Sequence, residues 1–199
     1  MIFPDKFIKA NTATITGQTE TEVTKYGLHI DVAKRGSPHK WNVEFKTSLF
    51  NEENIRELGA FLDTLDGQYE TFTMKSPLKY MGDVAGLTAA VAPSTNPYAG
   101  SNSIDVNGLV ASGIKYKAGD FFKFSNHDKV YKITESTTSN GAGYATLNFH
   151  PRLKSDTLSS NGVTIEEAVF TLRLKADKNA LALSAKTLHH SLLISAIEA

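Results

Sequence analysis

Residues 117–134, KAGDFFKFSNHDKVYKIT, contain the clearest β-strand signal of the chain. Aromatic and β-branched residues fill two short runs here, and the polar residues 125–128 separate them, a pattern typical of two strands joined by a turn. Similar runs occur on both sides, so that the complete series lies at 103–106, 121–124, 129–134 and 145–149. Glycine-containing turns separate the members of this series. Several short strands with glycine turns predict a small β-barrel.

Strand-like patterns continue outside this block. Apolar and polar residues alternate at period two in three further runs, at 28–33, 41–46 and 170–175. Because residues 35–38, RGSP, are a turn signal, we expect the first two of these runs to pair as a hairpin. Residues 68–74 are rich in aromatic and β-branched residues and predict another strand. Residues 181–197 fit a strand or a helix, and we predict a strand.

The segment 52–66 predicts an α-helix. Its apolar residues recur at helical spacing and form one face, made of Ile55, Leu58, Phe61, Leu62 and Leu65. Asn51 can cap the N-terminus of this helix, and Gly67 supplies a stop at its C-terminus. The predicted fold class is therefore mainly β, with a β-sandwich or barrel-like body that includes one α-helix, and with a second, small β-barrel.

The composition excludes several classes of protein. Of the 199 residues, 41% are hydrophobic, and 21 basic residues balance 21 acidic ones. This apolar fraction is too high, and this net charge too low, for a disordered protein. A neutral chain has no overall electrostatic attraction to nucleic acid or to an anionic membrane, and it repels its own copies little. Because the chain has no cysteine, a disulfide framework, a thiolate zinc site and a thiol nucleophile are excluded.

Neither a targeting segment nor a membrane span is evident in the sequence. The first residues, MIFPDKFIKA, lack the apolar core of a signal peptide, and no run approaches the ~20 apolar residues that span a bilayer. We therefore expect synthesis in a cytoplasm. Residues 82–100, with small side chains, two prolines and hardly any charge, and the polar residues 154–162 predict boundaries on either side of the barrel series.

Three short motifs resemble catalytic or phosphate-binding signatures, but each has a structural explanation. Ser37–Lys40 and Ser112–Lys115 have the Ser-x-x-Lys spacing of serine-nucleophile enzymes. Pro38 and Gly113 place both tetrads in turns instead of at the start of a helix. Asn140–Gly143 has the glycines of a phosphate loop, yet a strand pattern follows it, which predicts a hairpin turn.

Three further groups have titratable side chains close together in sequence. His189 and His190 suggest a metal, but adjacent residues of a strand point to opposite faces. Asp63 and Asp66 fit solvated surface at the end of the helix. His127 and Asp128 could be a base and the group that orients it, although a turn between two strands explains both. We therefore nominate no catalytic, cofactor-binding or metal-binding residue and expect no cofactor.

Two parts of the sequence resemble proteins of bacteriophage tails. Residues 117–134 and 143–154, GYATLNFHPRLK, are similar to a recurrent pattern in which Ala-Gly-Asp opens a strand, Val-Tyr-x-Ile forms the next, and Pro-x-Leu follows a closing strand. The segment 41–77 resembles the helix-containing part of distal tail proteins of long-tailed phages (siphoviruses). The similarity is clearest in LGAFLDTLDGQYETF, residues 58–72. Together these resemblances cover most of the chain.

The resemblance implies an organisation in two domains, as in the branch of that family with an inserted OB-like domain. Residues 1–83 together with 161–199 would form a discontinuous, ring-forming β-rich domain with the helix at about 52–66. Residues 84–160 would form an inserted OB-like β-barrel. The family forms hexameric rings that connect the tail tube to the tail tip or baseplate and leave a channel for DNA passage.

The partners implied are therefore further copies of the chain, the tail tube protein and the tail tip or baseplate hub proteins. The location implied is the virion tail, after assembly in the host cytoplasm. DNA would be present only in transit, and no membrane insertion is expected. The family has no catalytic residues to transfer, so we expect a structural protein and no enzyme.

Two alternatives remain open from the sequence. One is another tail protein, such as a tube or completion protein, although an inserted barrel disfavours a minimal tube subunit. The other is a carbohydrate- or oligonucleotide-binding module, in which the inserted domain could contact host-surface glycans. Basic and aromatic residues that would suit a stacking surface are Lys115, Tyr116, Lys117, Phe121, Lys123, Lys129, Tyr131 and Lys132. Simple alternation, with aromatic residues inside and lysines outside, explains the same pattern.

Overall fold

The computed structural model of the protein describes residues 1–8, 13–19, 21–26, 29–34, 39–47, 52–78, 81, 92–109, 113–164, 168–177 and 192–199. The chain divides into two compact units. Unit 1 comprises Met1–Pro77 and Thr171–Ala199, and unit 2 comprises Leu78–Phe170. Antiparallel strands dominate the described residues, so the predicted mainly β fold class is confirmed. The predicted domain limits after residues 83 and 160, and the OB-like type of the barrel, stay predictions.

The first part of unit 1 contains five strands and one α-helix among its described residues. They are β1 (Thr14–Gln18), β2 (Thr21–Tyr26), β3 (His29–Lys34), β4 (Lys40–Lys46), α1 (Glu52–Thr64) and β5 (Phe72–Lys75). A short 3₁₀ helix, Asp5–Phe7, precedes them. Near the C-terminus the chain returns with β14 (Val169–Leu174), which begins at the end of unit 2, and with β15 (Leu193–Glu198). The last strand confirms part of the predicted strand 181–197, whereas 178–191 lie outside the described residues.

The main sheet of unit 1 joins strands from opposite ends of the chain. Its order is β1-β4-β15-β14-β5, and β15 therefore lies in the centre of the sheet. Phe45 pairs with Ile194 across the β4–β15 boundary, and Arg173 pairs with Ile197 across the β14–β15 boundary. The sheet is completed only when the C-terminal strand inserts between strands that are far away in sequence.

The predicted hairpin between 28–33 and 41–46 is wrong. Strand β3 pairs with β2, in a separate two-stranded ribbon, and β4 pairs with β1 and β15. Only two residues separate the end of β2 from the start of β3, so this pairing closes a shorter loop than the predicted one. Strand β4 has a partner on each edge, β1 and β15, and buries its apolar residues Trp41, Val43 and Phe45 on one face.

Helix α1 packs on this sheet through aromatic contacts centred on Phe3. The Phe3 ring lies 5.2 Å from that of Phe45 in β4 and 5.4 Å from that of Phe61 in α1, both in edge-to-face geometry. It also lies 5.8 Å from the ring of Phe72 in β5. Edge-to-face pairs of this kind add to the stabilisation that burial alone provides. The N-terminal segment is therefore a structural part of unit 1.

The predicted helix is confirmed, with a slightly earlier end. It begins at Glu52 and ends at Thr64, and the chain then tightens into turns in which Leu65 N–H donates to the Leu62 carbonyl. Gly67 follows with a φ of 65°, the left-handed conformation that ends many helices. Asn51, the predicted cap, lies outside the described residues. The predicted apolar face is buried at Ile55, Leu58, Leu62 and Leu65 and half-buried at Phe61.

Unit 2 consists of short strands, as the glycine-punctuated pattern predicted. They are β6 (Ala92–Pro93), β7 (Ser103–Asn107), β8 (Gly113–Tyr116), β9 (Phe121–Phe124), β10 (Val130–Ile133), β11 (Thr137–Ser139), β12 (Ala145–His150) and β13 (Val163–Thr164). Six form a sheet in the order β13-β9-β10-β12-β7-β6, and β8 pairs with β11. One face of these strands encloses a core of its own that includes Tyr116, Phe122, Tyr131, Leu147 and Phe149.

Helix α1, the α-helix of the described residues, is too short and too polar to be a membrane span.

The central position of β15 gives a direct prediction for stability. Ile194 is 1% exposed, whereas its neighbour Leu193 in the same strand is 58% exposed. We expect Ile194→Ala to lower the free energy of unfolding of unit 1 by about 2–5 kcal/mol, because it leaves a cavity between paired strands. Trp41 is the one tryptophan of the chain and lies in β4, so its fluorescence during denaturant unfolding reports this transition.

Leu193→Ala is the matched control for this measurement. It removes the same kind of side chain from an exposed position of the same strand, so we expect a change of less than about 0.5 kcal/mol. Equal losses for the two variants would contradict the placement of β15 in the sheet centre.

Candidate functional site

Several motifs found in the sequence fall where the structure gives no description. Ser37 and Ser112, the serines of the two Ser-x-x-Lys tetrads, lie outside the described residues, as do His189 and His190. The structural interpretation of these motifs stays a prediction. Within the described ranges, no group of three or more histidine, aspartate or glutamate side chains is arranged to hold a metal ion.

The two aspartates at the end of α1 form no site. Asp63 and Asp66 are both exposed, and they are linked only through the backbone, where Asp66 N–H donates to the Asp63 carbonyl at 3.2 Å. Asp66 itself has left the helix, with a φ of 47°. This is the solvated surface that the sequence predicted.

The glycine-rich segment Asn140–Gly143 is a turn between strands and not a phosphate loop. The Asn140 Oδ1 atom accepts hydrogen bonds from the backbone N–H groups of Ala142, at 2.9 Å, and Tyr144, at 3.0 Å. Gly143 has a φ of 77°, and a β-carbon there would collide with the Leu109 carbonyl oxygen. Strand β12 begins directly afterwards, so no helix N-terminus is available to hold an anion.

Among the described residues, the stacking surface of aromatic and basic side chains, which the sequence left open as an alternative, is not formed. Tyr116 and Tyr131 are fully buried and Phe121 is 5% exposed, so their rings cannot stack on a ligand from solution. Lys129 is also buried, at 7% exposure. The alternation pattern placed the aromatic rings in the core of unit 2, which is the simpler of the two explanations that the sequence left open.

The residues of the tail-protein pattern form the frame of unit 2. In the Ala-Gly-Asp motif, the carboxylate of Asp120 accepts hydrogen bonds from Met81 N–H at 2.9 Å and Lys117 N–H at 3.0 Å. In the Pro-x-Leu motif, Leu153 is buried, and its N–H donates to the Ser101 carbonyl at 2.7 Å. These contacts hold loops to strands, so the motifs specify structure and not chemistry.

The Val-Tyr-x-Ile motif contributes Tyr131, whose ring lies within 5.2–5.6 Å of four others, those of Phe122, Phe124, His127 and Phe149. Its hydroxyl accepts a hydrogen bond from Lys154 N–H at 3.0 Å and lies 2.7 Å from His127 Nε2. If the hydroxyl donates its proton to Nε2, both groups are satisfied and the neutral ring carries its proton on Nδ1.

His127 and Asp128 do not form the base-and-orienter pair that the sequence suggested. The Asp128 carboxylate accepts a hydrogen bond from Lys123 Nζ at 2.8 Å, and this bond holds the pKa of Asp128 below its usual value. His127 Nδ1 instead lies 3.3 Å from Ser155 Oγ. In the tautomer that satisfies Tyr131, Nδ1 is a donor and cannot take a proton from this serine.

The surroundings of His127 disfavour its charged form. Burial is the largest cause of its lowered pKa, and the nearby Lys154 and Lys123 add to the effect, while Asp128 opposes it. A neutral ring also suits the hydrogen bond from Tyr131, whose phenol is buried. The contacts of His127 with Tyr131 and Ser155 are therefore structural, and they join the β9–β10 turn to the segment after β12.

A polar groove lies on another part of unit 2. Its volume is about 460 Å³, and β7, β11 and β12 line it, together with the turn before β12. The residues that line it are Ser94, Asp105, Thr138, Ser139, Asn140, Tyr144, Ala145 and Thr146. Sequence patterns did not reveal this groove, because its residues come from separate strands and are mostly the outward-facing polar ones.

The groove combines one aromatic ring with several hydrogen-bonding groups. Tyr144, which supplies the aromatic ring of the groove, is 48% exposed. Thr146 Oγ1 donates to Asp105 Oδ1 at 2.6 Å, which leaves the second carboxylate oxygen of Asp105 without a partner among the described residues. The side chains that line the groove therefore include both hydrogen-bond donors and acceptors.

The lowered pKa of His127 predicts how stability depends on pH. Between the folded pKa and 6.5, the unfolded chain binds more protons at this residue than the folded chain does. The contribution of His127 to stability is therefore complete above pH 6.5 and decreases as the pH falls through this window. Denaturant unfolding at a series of pH values, for the wild type and His127→Gln, measures it, and the variant should show the shallower pH dependence.

His150→Gln is the matched control, because it removes an exposed imidazole from the sheet of the same unit. It should keep the wild-type pH dependence associated with His127. An equally steep decrease in stability below pH 6.5 for wild type and His127→Gln would contradict a neutral, half-buried ring.

Comparison with known proteins points to one group. Residues 79–168 match the family model described as distal tail protein pb9, B domain, and these limits nearly coincide with those of unit 2. The chain is also 32% identical, over 120 residues, to distal tail protein pb9 of Escherichia phage T5. This alignment covers 60% of the chain and 52% of pb9, so the chain matches about half the length of that relative. The resemblance to distal tail proteins of long-tailed phages is thereby confirmed, and the match to the B-domain model covers most of unit 2.

Proposed function

We propose that this protein is a structural component of a phage tail, a distal tail protein. Copies of it assemble into a ring that joins the tail tube to the tail tip or baseplate. The ring is hexameric and leaves a channel through which DNA passes. Its neighbours are the tail tube protein on one side and the tip or baseplate hub proteins on the other. The protein acts in the virion tail, after assembly in the host cytoplasm.

The observation that carries this proposal is the match of residues 79–168 to the B domain of distal tail protein pb9. It is supported by the alignment with the T5 protein, which is 32% identical over 120 residues and is therefore longer than the match to the B domain, residues 79–168. The motifs that carried the sequence resemblance are accounted for by structural contacts of Asp120, Tyr131 and Leu153. A role in assembly needs no reactive group at these positions.

Unit 1 is the part that we propose to form the ring, and unit 2 is the inserted domain. Large apolar side chains are exposed on unit 1 at Met1, Ile2, Tyr69 and Leu193, with exposures of 51–78%. Unit 2 exposes apolar side chains as well, but Met1 and Ile2 are consecutive, and contiguous apolar surface marks sites where proteins associate. The balance of 21 basic and 21 acidic residues also keeps the repulsion between copies low.

Ring formation is tested by light scattering coupled to size-exclusion chromatography and by negative-stain images of the purified protein. We expect a mass several times that of one chain, 21.7 kDa, and ring-shaped particles with a central hole. Ile2→Glu places a charge at the most exposed of these apolar positions and should shift the population toward smaller species. Tyr98→Glu, at a 75% exposed position of unit 2, is the control and should leave the ring intact.

A strict monomer at high concentration, with no ring even beside the tail tube and tip proteins, would contradict the proposal. Labelling of intact virions with an antibody against unit 2 distinguishes a distal tail protein from other kinds of tail protein. One label at the far end of the tube is expected, whereas label along the tube would favour a tube protein and label near the head a completion protein.

A further inference from the structure

We propose that the groove lined by Asp105, Thr138, Asn140 and Tyr144 on unit 2 binds a neutral saccharide. One sugar ring would stack on Tyr144, and the hydroxyl groups of the sugar would hydrogen-bond to the polar side chains around it. This site lies within unit 2 and does not depend on ring assembly, so it can be present whether or not the proposed function is correct.

Hydrogen bonds hold the backbone of the turn that carries Tyr144. Asn140 binds the backbone of Tyr144 twice, because its Oδ1 accepts from Tyr144 N–H at 3.0 Å and its own N–H donates to the Tyr144 carbonyl at 2.9 Å. Gly143 packs against Leu109, whose N–H donates to the Gly143 carbonyl at 3.2 Å. The backbone that carries Tyr144 is therefore ordered before a ligand binds, which lowers the conformational entropy lost on binding.

The polar groups of the groove suit a ligand with many hydroxyl groups. A carboxylate oxygen of Asp105 can accept two hydrogen bonds, the Thr138 hydroxyl can donate and accept, and the Asn140 amide nitrogen can donate. Among the described residues, none of these three groups has a hydrogen-bond partner that occupies it, since Asp105 Oδ1 and Asn140 Oδ1 serve the internal contacts. Sugar hydroxyls are both donors and acceptors and match this mixture.

The charge of the groove favours a neutral ligand over a nucleic acid. Among the described residues that line it, Asp105 is the one with a charge, and none is a lysine or arginine that would neutralise a phosphate. Of the basic and aromatic residues considered above for nucleic-acid binding, those whose side chains the structure describes do not line this groove. Its volume, about 460 Å³, lies within the usual range of small-ligand pockets, about 300–1,000 Å³, and accommodates a mono- or disaccharide unit.

Saturation-transfer difference NMR tests the proposal on the full chain, because the method works for assemblies of any size. The probes are four neutral sugars, maltotriose, mannotriose, chitotriose and lactose, with oligothymidylate as the anionic comparison. We expect signals from at least one of the sugars, with an affinity in the millimolar range that does not change with salt concentration.

Two substitutions locate the binding. Tyr144→Ala removes the exposed ring and should weaken sugar binding about tenfold. Asp105→Asn keeps the shape of the side chain but removes the charge, and it should also weaken binding. With two variants, the site can still be tested if one of them fails to fold. Tyr98→Ala removes a more exposed tyrosine of unit 2 outside the groove and should bind sugars as the wild type does.

Three results would overturn the saccharide site. They are the absence of signals from all four sugars, sugar binding that neither Tyr144→Ala nor Asp105→Asn weakens, and oligothymidylate binding that Tyr144→Ala abolishes. Images of the same samples show whether rings are present, so failure of the saccharide site and failure of the ring proposal are recognised separately.

Discussion

The pairing of β15 with β4 and β14 is the constraint on which unit 1 depends. The last strand of the chain occupies the middle of the main sheet, with Ile194 buried opposite Phe45. Without it, two inner strands would lose their hydrogen-bonding partners and expose apolar faces to water. Because these strands precede and follow residues 78–170 in sequence, the intervening unit is necessarily built as an insertion.

Unit 2 can be inserted in this way because it has its own core and its own hydrogen bonds between loops and strands. Its aromatic core surrounds Tyr131, and side-chain hydrogen bonds of Asp120 and Asn140 hold its loops. The residues that make the sequence resemble tail proteins include Asp120 and Tyr131, which make these structural contacts. The groove beside Tyr144 lies on the surface of the same unit, next to the turn that Asn140 holds.

Periodic patterns predicted the helix and the strands that bury one face, such as 41–46, 121–124 and 145–149. Strands β1, β8 and β11 have weak or no apolar alternation, and the sequence analysis did not assign them. Strand pairing was predicted wrongly at β3 and β4, because local turn signals carry no information about a distant partner such as β15. Alternation of apolar and polar residues also could not show whether the Tyr131 ring is buried or exposed. The groove could not be predicted because residues from separate strands line it.

The central claim is that distant segments of the chain form one cooperative body around an insertion. Native-state hydrogen exchange at increasing denaturant concentration tests it most directly, because it measures the opening of each strand in the intact chain. We expect the amides of Lys40–Lys46 and Leu193–Glu198 to exchange through one common unfolding event. Exchange of the β15 amides in a separate, lower-energy event, with β4 still protected, would contradict the claim.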